Sequence, residues 1–338
     1  STVSSTISFS MNNSLNAGMS YGENCTDIPV LVIFAPTASG KTALAEKLFG
    51  KNSTSPFAGK AEIVSADSMQ VYKYLDVGTA KPDKAFLKNL PHHLIDICLP
   101  EHQFGTGEFV READKVVKDI FARGKLPVLC GGTAFYIKNF LTGLPVTPEA
   151  DEKTRTLVEN RMKTEGKEVL YAELEKLDPE SASKIHINDE YRIKRALEIC
   201  LSTGKPRSSF LLNNPNEFRK GYKFLVFSLE RDRKELYERI NQRVDIMFDS
   251  GLLSEIENLR KMGYTGDEPG LSAIGYREFF TSETDIEKIR VSIKHDTKRY
   301  AKRQETFFKS FNFAESVNPE DYEKIQEKIS HFFKEYNF

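Results

Sequence analysis

Gly40, Lys41 and Thr42 are the residues of this chain best placed to do chemistry. They end the stretch Leu31-Val32-Ile33-Phe34-Ala35-Pro36-Thr37-Ala38-Ser39-Gly40-Lys41-Thr42 and open an apolar-periodic helix. An apolar strand, a loop of small residues and then Gly-Lys-Thr is the layout of a P-loop. In that layout the backbone N–H groups of the loop turn inward and cradle a di- or triphosphate. The Lys41 ammonium neutralises it, and the Thr42 hydroxyl can hold Mg²⁺. The diphosphate-binding candidates are therefore Ala35, Pro36, Thr37, Ala38, Ser39, Gly40, Lys41 and Thr42. The usual motif begins with Gly where this chain has Ala35, so Ala35 is expected to hold an ordinary backbone conformation. Pro36 fixes its own φ beside it.

A second constellation is Asp67, which follows the apolar segment Ile63-Val64-Ser65-Ala66. It could coordinate Mg²⁺, take a proton from an incoming nucleophile, or merely cap the next turn. The third is Gly131-Gly132-Thr133, which closes the apolar segment Leu126–Cys130 without a carboxylate. A phosphate cradle without an obvious hydrolytic apparatus favours a transfer reaction in which diphosphate is bound, or leaves, without ATP turnover. Lys81 can add positive charge over the diphosphate, or it is a solvated loop lysine. Arg233 and Arg239 share one helix but not one face of it. One of them can clamp a leaving group bidentately, and Arg239 is the preferred candidate. His92 and His93 are neighbours on a strand, face opposite ways, and read as structural.

Two basic tracts stand apart from these. One is Tyr191-Arg192-Ile193-Lys194-Arg195. The other runs from Lys294 to Gln304. On a helix Lys294, Lys298 and Lys302 line up, with His295, Arg299 and Arg303 in the adjacent row. Such ridges are either solvated helix faces or tracks for a phosphate backbone.

The elements that must position these groups can be read from periodicity. Strands are expected at Val30–Phe34, Ala61–Ala66, His92–Ile97, Leu126–Cys130 and Tyr222–Leu229. Helices are expected at Lys41–Phe49, Phe109–Arg123, after Ala134, and at Arg233–Asp249, with the remainder of the C-terminal part helical. Strands alternating with helices imply a parallel sheet flanked by helices, an α/β fold of the P-loop NTPase-like kind. Ligands of such sheets lie beyond the carboxyl ends of the strands, so all three constellations should meet on one rim. From Thr147 to about Asn216 the text is highly charged and helix-forming, which reads as a helical insertion. The expected organisation is a disordered tail at 1–28, a core made of 29–146 and 221–338, and an insertion at 147–220.

The chain has 338 residues, 39% hydrophobic and 29% charged, enough for one large domain and a smaller one. Its net charge of -1 makes it no polycation, so any nucleic-acid surface is a local patch. Its four scattered cysteines form no C-x-x-C pair, which argues against a zinc module and fits a reducing, cytoplasmic setting. No apolar run reaches the ~20 residues of a membrane span. The first 27 residues hold no Lys or Arg, unlike a signal or transit peptide.

Order and spacing of these pieces resemble the tRNA dimethylallyltransferase (tRNA isopentenyltransferase) family over about residues 29–310. The matching segments are Pro36–Thr42, Ser65-Ala66-Asp67-Ser68-Met69-Gln70-Val71-Tyr72, Asp76–Pro82, His92–Ile97, Gly131–Tyr136, Gly275-Tyr276-Arg277 and Lys302-Arg303-Gln304. Ala35 departs from the family's Gly. The resemblance implies transfer of a dimethylallyl group from dimethylallyl diphosphate to the exocyclic amine of the adenosine 3′-adjacent to the anticodon (position 37) in tRNAs reading codons that begin with U. It implies Asp67 as the base and Thr133 as a substrate contact near the reacting adenine. The diphosphate then sits in the P-loop with Mg²⁺. Asp67, Ser68, Met69 and Gln70, Tyr191–Arg195, and Ser272, Ala273, Ile274, Gly275, Tyr276 and Arg277 would hold the anticodon stem-loop, with Arg299 and Arg303 beside them. A monomer with no membrane partner is expected. An adenylate isopentenyltransferase acting on free nucleotide would share the donor site but need no RNA clamp. A small-molecule kinase and an RNA-binding module with a vestigial P-loop are the remaining readings.

Overall fold

The computed structural model describes residues 27–144, 147–210 and 217–336. The tail expected at 1–28 lies outside the described residues as far as residue 26, and Ile28 already belongs to the first strand.

Six strands form one parallel sheet: β1 (Ile28–Phe34), β2 (Ala61–Ala66), β3 (His92–His93), β4 (Leu126–Gly131), β5 (Tyr222–Leu229) and β6 (Glu315–Val317), in the order β3-β2-β4-β1-β5-β6. β1 lies between β4 and β5, with Leu31 opposite Val128 and Leu225. Its residues Val30–Phe34 are fully buried because helices cover both faces of the sheet, which is why the strand reads as a continuous apolar run. Side chains alternate between faces. Val30, Val32 and Phe34 pack into one core with α3 (Thr106–Ala122), α4 (Ala134–Thr142), α9 (Arg233–Asp249), α10 (Leu252–Lys261) and α11 (Ile286–Phe308). Leu31 and Ile33 pack into the other with α1 (Lys41–Phe49) and α12 (Tyr322–Phe333).

Two expectations are corrected. The strand expected at His92–Ile97 stops at His93, because Leu94 (φ 64°) and Asp96 (φ 56°) take left-handed conformations that no strand accommodates. The C-terminal part is not wholly helical: Glu315–Val317 adds the edge strand β6 beside Phe227–Leu229. A short helix α2 (Lys84–Asn89), capped by Asp83, precedes β3.

The segment expected as an insertion contains α5 (Glu152–Glu165), α6 (Lys167–Leu177), α7 (Pro179–Lys184) and α8 (Glu190–Thr203). These helices close on a core of their own that includes Val158, Leu170, Leu174, Ile193 and Leu197. The buried Asp178 caps α7 through Ser181 N–H (3.0 Å) and takes Ser208 N–H (2.9 Å) and Oγ (2.7 Å), tying the 3₁₀ turn Arg207–Phe210 to the bundle. Among the described residues no helix is long and apolar enough to cross a membrane.

Candidate active site

The loop between β1 and α1 turns at Ala38 (φ 63°) and Gly40 (φ 95°), not at Ala35. Ala35 is fully buried, and its N–H reaches Gly131 O at 3.4 Å. The missing glycine is therefore tolerated, since position 35 needs no left-handed backbone. Two arginines hold the loop by its carbonyls: Arg239 Nε donates to Ala38 O (2.8 Å) and Arg231 Nε to Ser39 O (2.7 Å). A Cβ at Gly40 would stand 3.1 Å from the Arg231 guanidinium, so loop and arginine fit closely. Lys41 Nζ donates to Ala35 O and Pro36 O, each at 2.8 Å, and has no carboxylate partner among the described residues. Burial lowers its pKa to about 8.

A cavity of about 690 Å³ opens beside this loop. It is lined by the ends of β2 and β4, by α1, by one face of α9 and α11, and by the Ser272–Gly275 segment with Arg277. Lys41, Arg239, Arg243, Arg277 and Arg303 bring positive charge to its wall, and among the described residues Asp67 is its only carboxylate. Arg243 is half-buried, donates to Thr79 O at 3.2 Å and makes no ion pair among the described residues. Burial lowers its pKa from the ordinary value, and the Asp67 charge opposes that shift. Two half-buried, desolvated cations without paired carboxylates are costly unless an anion shares the site.

Asp67 sits at the end of β2. Its Oδ1 accepts from Met69 N–H (2.8 Å) and Gln70 N–H (3.1 Å), so it caps the following turn while also lining the cavity. Across from it Thr133 Oγ1 accepts from Ser68 N–H (2.9 Å), and its hydroxyl also hydrogen-bonds Tyr300. Tyr300 of α11 completes this wall. Burial, with the Asp67 charge adding, pushes its phenol up to about 12, so it is neutral and can donate. Gln304, one turn further along α11, is buried and joins the loop to the Gly131–Thr133 turn: its Oε1 accepts from Thr37 N–H at 3.2 Å and its Nε2 donates to Gly132 O.

The structure brings Thr37, Ala38, Gly40, Lys41, Thr42, Asp67, Ser68, Met69, Gln70, Thr133, Arg239, Ser272, Ala273, Ile274, Gly275, Arg277 and Arg303 around one cavity. Pro36 and Ser39 face a separate hollow of about 890 Å³ behind the loop, so they can serve this cavity only through backbone. The remaining candidates stand elsewhere. Lys81 does not line the cavity: its ammonium is taken by Tyr72 O (2.8 Å), Asp76 (2.7 Å) and Asp96 (2.5 Å). It staples its own loop. Ile193 is fully buried in the insertion core, so α8 can offer RNA only the side chains around it. Of these, Tyr191 is 74% exposed, Lys194 pairs with Glu159 (2.6 Å) and Arg195 with Glu198 (3.3 Å), while Arg192 pairs with Asp189 (3.2 Å). Tyr276 is fully buried too, with its hydroxyl on Glu255 (2.6 Å) and its ring filling the space a Cβ at Gly78 would need. Arg299 is exposed on α11, outside the cavity lining.

Arg231, Arg243 and Tyr300 escaped the sequence reading. Arg243 had a signal: it follows Arg239 by one helical turn, the spacing that puts both on one face. Tyr300 had the same signal relative to Gln304. Arg231 precedes its helix and had none.

The oxygen donors at the mouth of the loop are the Thr42 hydroxyl and the Asp67 carboxylate. Among the described residues no three His, Cys, Asp or Glu side chains cluster as a metal cage. Hard oxygen donors in small number fit Mg²⁺, which binds through one or two protein groups, substrate phosphates and water.

Residues 70–311 match the model of the IPP transferase family. The chain is 41% identical over 312 residues to the tRNA dimethylallyltransferase of Thermoanaerobacter sp. (strain X514), covering 91% of this chain and 97% of that one. It is 40% identical to tRNA dimethylallyltransferase 2 of Geotalea uraniireducens, covering 90% and 97%. Among solved structures, the full-length tRNA isopentenylpyrophosphate transferase of Bacillus halodurans is 32% identical, with a TM-score of 0.64 over 91% of this chain and 98% of that one. A eukaryotic dimethylallyltransferase acting on tRNA is 27% identical, with a TM-score of 0.71 over 90% and 77%. Match length, identity and shared fold agree: the chain belongs to the IPP transferase family.

Proposed function

We propose that this chain transfers a dimethylallyl group from dimethylallyl diphosphate to the exocyclic amine of an adenosine beside the anticodon of tRNA, releasing diphosphate. The observation that carries this reading is the charge pattern of the cavity, where among the described residues the half-buried cations Lys41 and Arg243 lack paired carboxylates and face a single acid, Asp67. That pattern suits an anionic leaving group together with one proton acceptor. The names of the relatives supply the substrate class.

In this reading the loop amides and Lys41 bind the diphosphate, with Arg239 and Arg243 along its other side. The C–O bond to the allylic carbon breaks and its electron pair leaves on the diphosphate oxygen. The adenine amine attacks that carbon, and its proton passes to the Asp67 carboxylate. Thr133 and Tyr300, hydrogen-bonded to each other, orient the base. Stabilising the departing charge and aligning the two reactants supply most of the catalysis. Thr42 and Asp67 would hold Mg²⁺, which when bound neutralises part of the diphosphate charge. The target base must leave its stack to enter the cavity, at a cost of a few kcal/mol that is smaller in a single-stranded loop. The arginines at the mouth, Arg277 and Arg303, and the exposed side of α8 offer contacts to the RNA backbone. The protein acts as a monomer in the cytoplasm.

An adenylate isopentenyltransferase would have no use for the insertion α5–α8, and a kinase would be served poorly by a cavity with one carboxylate. The experiment is incubation with dimethylallyl diphosphate, Mg²⁺ and unmodified tRNA, followed by nucleoside mass spectrometry. Parallel arms contain AMP in place of tRNA, and γ-labelled ATP in place of the prenyl donor. Prenylated adenosine in tRNA alone supports the reading. Prenylated AMP or transferred label overturns it.

A further inference from the structure

One side chain connects the two halves of this site. Gln304 comes from α11, far in sequence from both groups it holds: the first loop amide, Thr37 N–H, and the carbonyl of Gly132. Gly132 precedes Thr133, whose hydroxyl accepts from Ser68 N–H, next to Asp67. The loop that binds phosphate and the turn that faces the acceptor are thus bridged by a single buried carboxamide. The fit is close, since a Cβ on Gly132 would lie 2.7 Å from Gln304 Nε2 and 3.2 Å from Ala35 O. The chemistry also demands this residue type. Thr37 N–H needs an acceptor and Gly132 C=O needs a donor, and a planar amide offers one of each in fixed geometry. A carboxylate offers two acceptors, and an aliphatic side chain neither. The same helix presents Ile293, Thr297, Tyr300 and Arg303 to the cavity, so the helix that bears RNA-facing groups also sets the position of the phosphate loop.

We propose that Gln304 is a positioning residue that fixes the separation between the donor loop and the acceptor turn, so that it governs the transfer step and not the binding of either substrate. This rests on the prenyl-transfer reading above. Loss of the bridge lets loop and turn drift; because Gln304 itself also lines the cavity and reaches the Tyr300 hydroxyl, the KM readout separates positioning from direct contact. A misplacement of about 1 Å between reactants can cost ~100-fold in rate.

The test compares the wild-type protein with Q304N, Q304E and Q304L. Asn keeps the amide but is one methylene too short for both bonds, Glu keeps the acceptor without the donor, and Leu keeps only bulk. Each variant is checked for folding by thermal melting and for tRNA retention on filters, then assayed for kcat and for KM of dimethylallyl diphosphate and of tRNA. The expected result is a kcat reduced ~100-fold in Q304L and Q304N, less in Q304E, with both KM values within about threefold of wild type. If Q304L does not fold, Q304N and Q304E decide. A kcat within about threefold of wild type in folded variants overturns the proposal, and so does a rise in donor KM that accounts for the whole loss, which would make Gln304 a donor contact. A wild-type protein that leaves tRNA unmodified fails the functional reading itself and takes this inference with it.

Discussion

Asp67 carries two duties in the structure, and one substitution separates them. Its Oδ1 holds Met69 N–H at 2.8 Å and Gln70 N–H at 3.1 Å, while the residue lines the cavity as its sole carboxylate. In Asp67→Asn the side-chain oxygen still accepts both amides, so the turn is kept while the proton acceptor and its negative charge are lost. General-base catalysis is worth ~10²–10⁴ in rate, or about 3–5 kcal/mol of barrier. The variant should therefore lose that much kcat with little change in melting temperature. Asp67 would also help hold Mg²⁺, so donor affinity is read at saturating Mg²⁺, where loss of the one acid beside Lys41 and Arg243 should let it hold or improve. Asp67→Ala should lose the same kcat and, in addition, the cap, worth ~1 kcal/mol of stability. The assay is single-turnover prenylation of tRNA together with thermal melting of both variants. A less than tenfold loss of kcat in Asp67→Asn, with a clear loss of stability in Asp67→Ala, would refute the base assignment and leave Asp67 a cap.

Further outcomes follow from the same geometry. Lys41 titrates near pH 8 in the free protein, so its charge and the donor affinity fall as pH rises through that value. Donor KM should climb between about pH 7 and pH 10, and Lys41→Arg, which stays charged, should flatten the climb. Stability runs the other way: the unfolded chain holds the Lys41 proton up to the ordinary 10.5, so it binds more protons above pH 8 and folding gains from Lys41 as pH rises through that window. Glu62 accepts from Arg123 (2.6 and 2.7 Å) and His93, and the Arg123 bond holds its carboxyl down to about 2. Its stabilisation is present above pH ~4.5 and is lost as pH falls toward 2. Glu62→Gln should thus cost about 2 kcal/mol in a neutral-pH melt and little at pH ~2, and equal cost at both would argue against the ion pair. Ile193→Ala should lower stability by ~2–5 kcal/mol through a cavity in the insertion core, whereas Arg192→Ala should weaken tRNA binding without moving the melting temperature. The reverse pattern in melting and filter-binding data would place Ile193 at the RNA surface after all.

Local pattern made much of this fold readable. Lys41–Phe49, Ala61–Ala66, Tyr222–Leu229 and Arg233–Asp249 begin and end where periodicity put them. Continuous apolar runs suit strands buried on both faces, and apolar spacing suits helices with one covered side. The failures occur where tertiary structure overrides local preference. His92–Ile97 has strand-forming residues, but left-handed turns at Leu94 and Asp96 redirect the chain. Glu315–Val317 is too short and polar to announce itself, and it is a strand only because β5 lies beside it. At the site, the loop and Asp67 were visible because their chemistry depends on adjacent residues. Arg231 matters through a contact 192 positions away, which spacing does not encode, whereas Arg243 and Tyr300 sit one helical turn from Arg239 and Gln304 but show their role only once the fold brings them to Asp67. Lys81 erred in the other direction: a lysine near phosphate-binding elements is taken by Asp76 and Asp96, whose nearness only the fold creates.

In the proposed mechanism Lys41 and Arg243 grip a diphosphate as it leaves, and an RNA amine takes the carbon it leaves behind. The most direct test of that mechanism is the stoichiometry of a single turnover with excess protein, labelled dimethylallyl diphosphate and unmodified tRNA. The account predicts one diphosphate released for each prenylated adenosine, and no release when tRNA is left out. Diphosphate released at the same rate without RNA, or nucleoside triphosphate consumed while donor and tRNA remain unchanged, would contradict it.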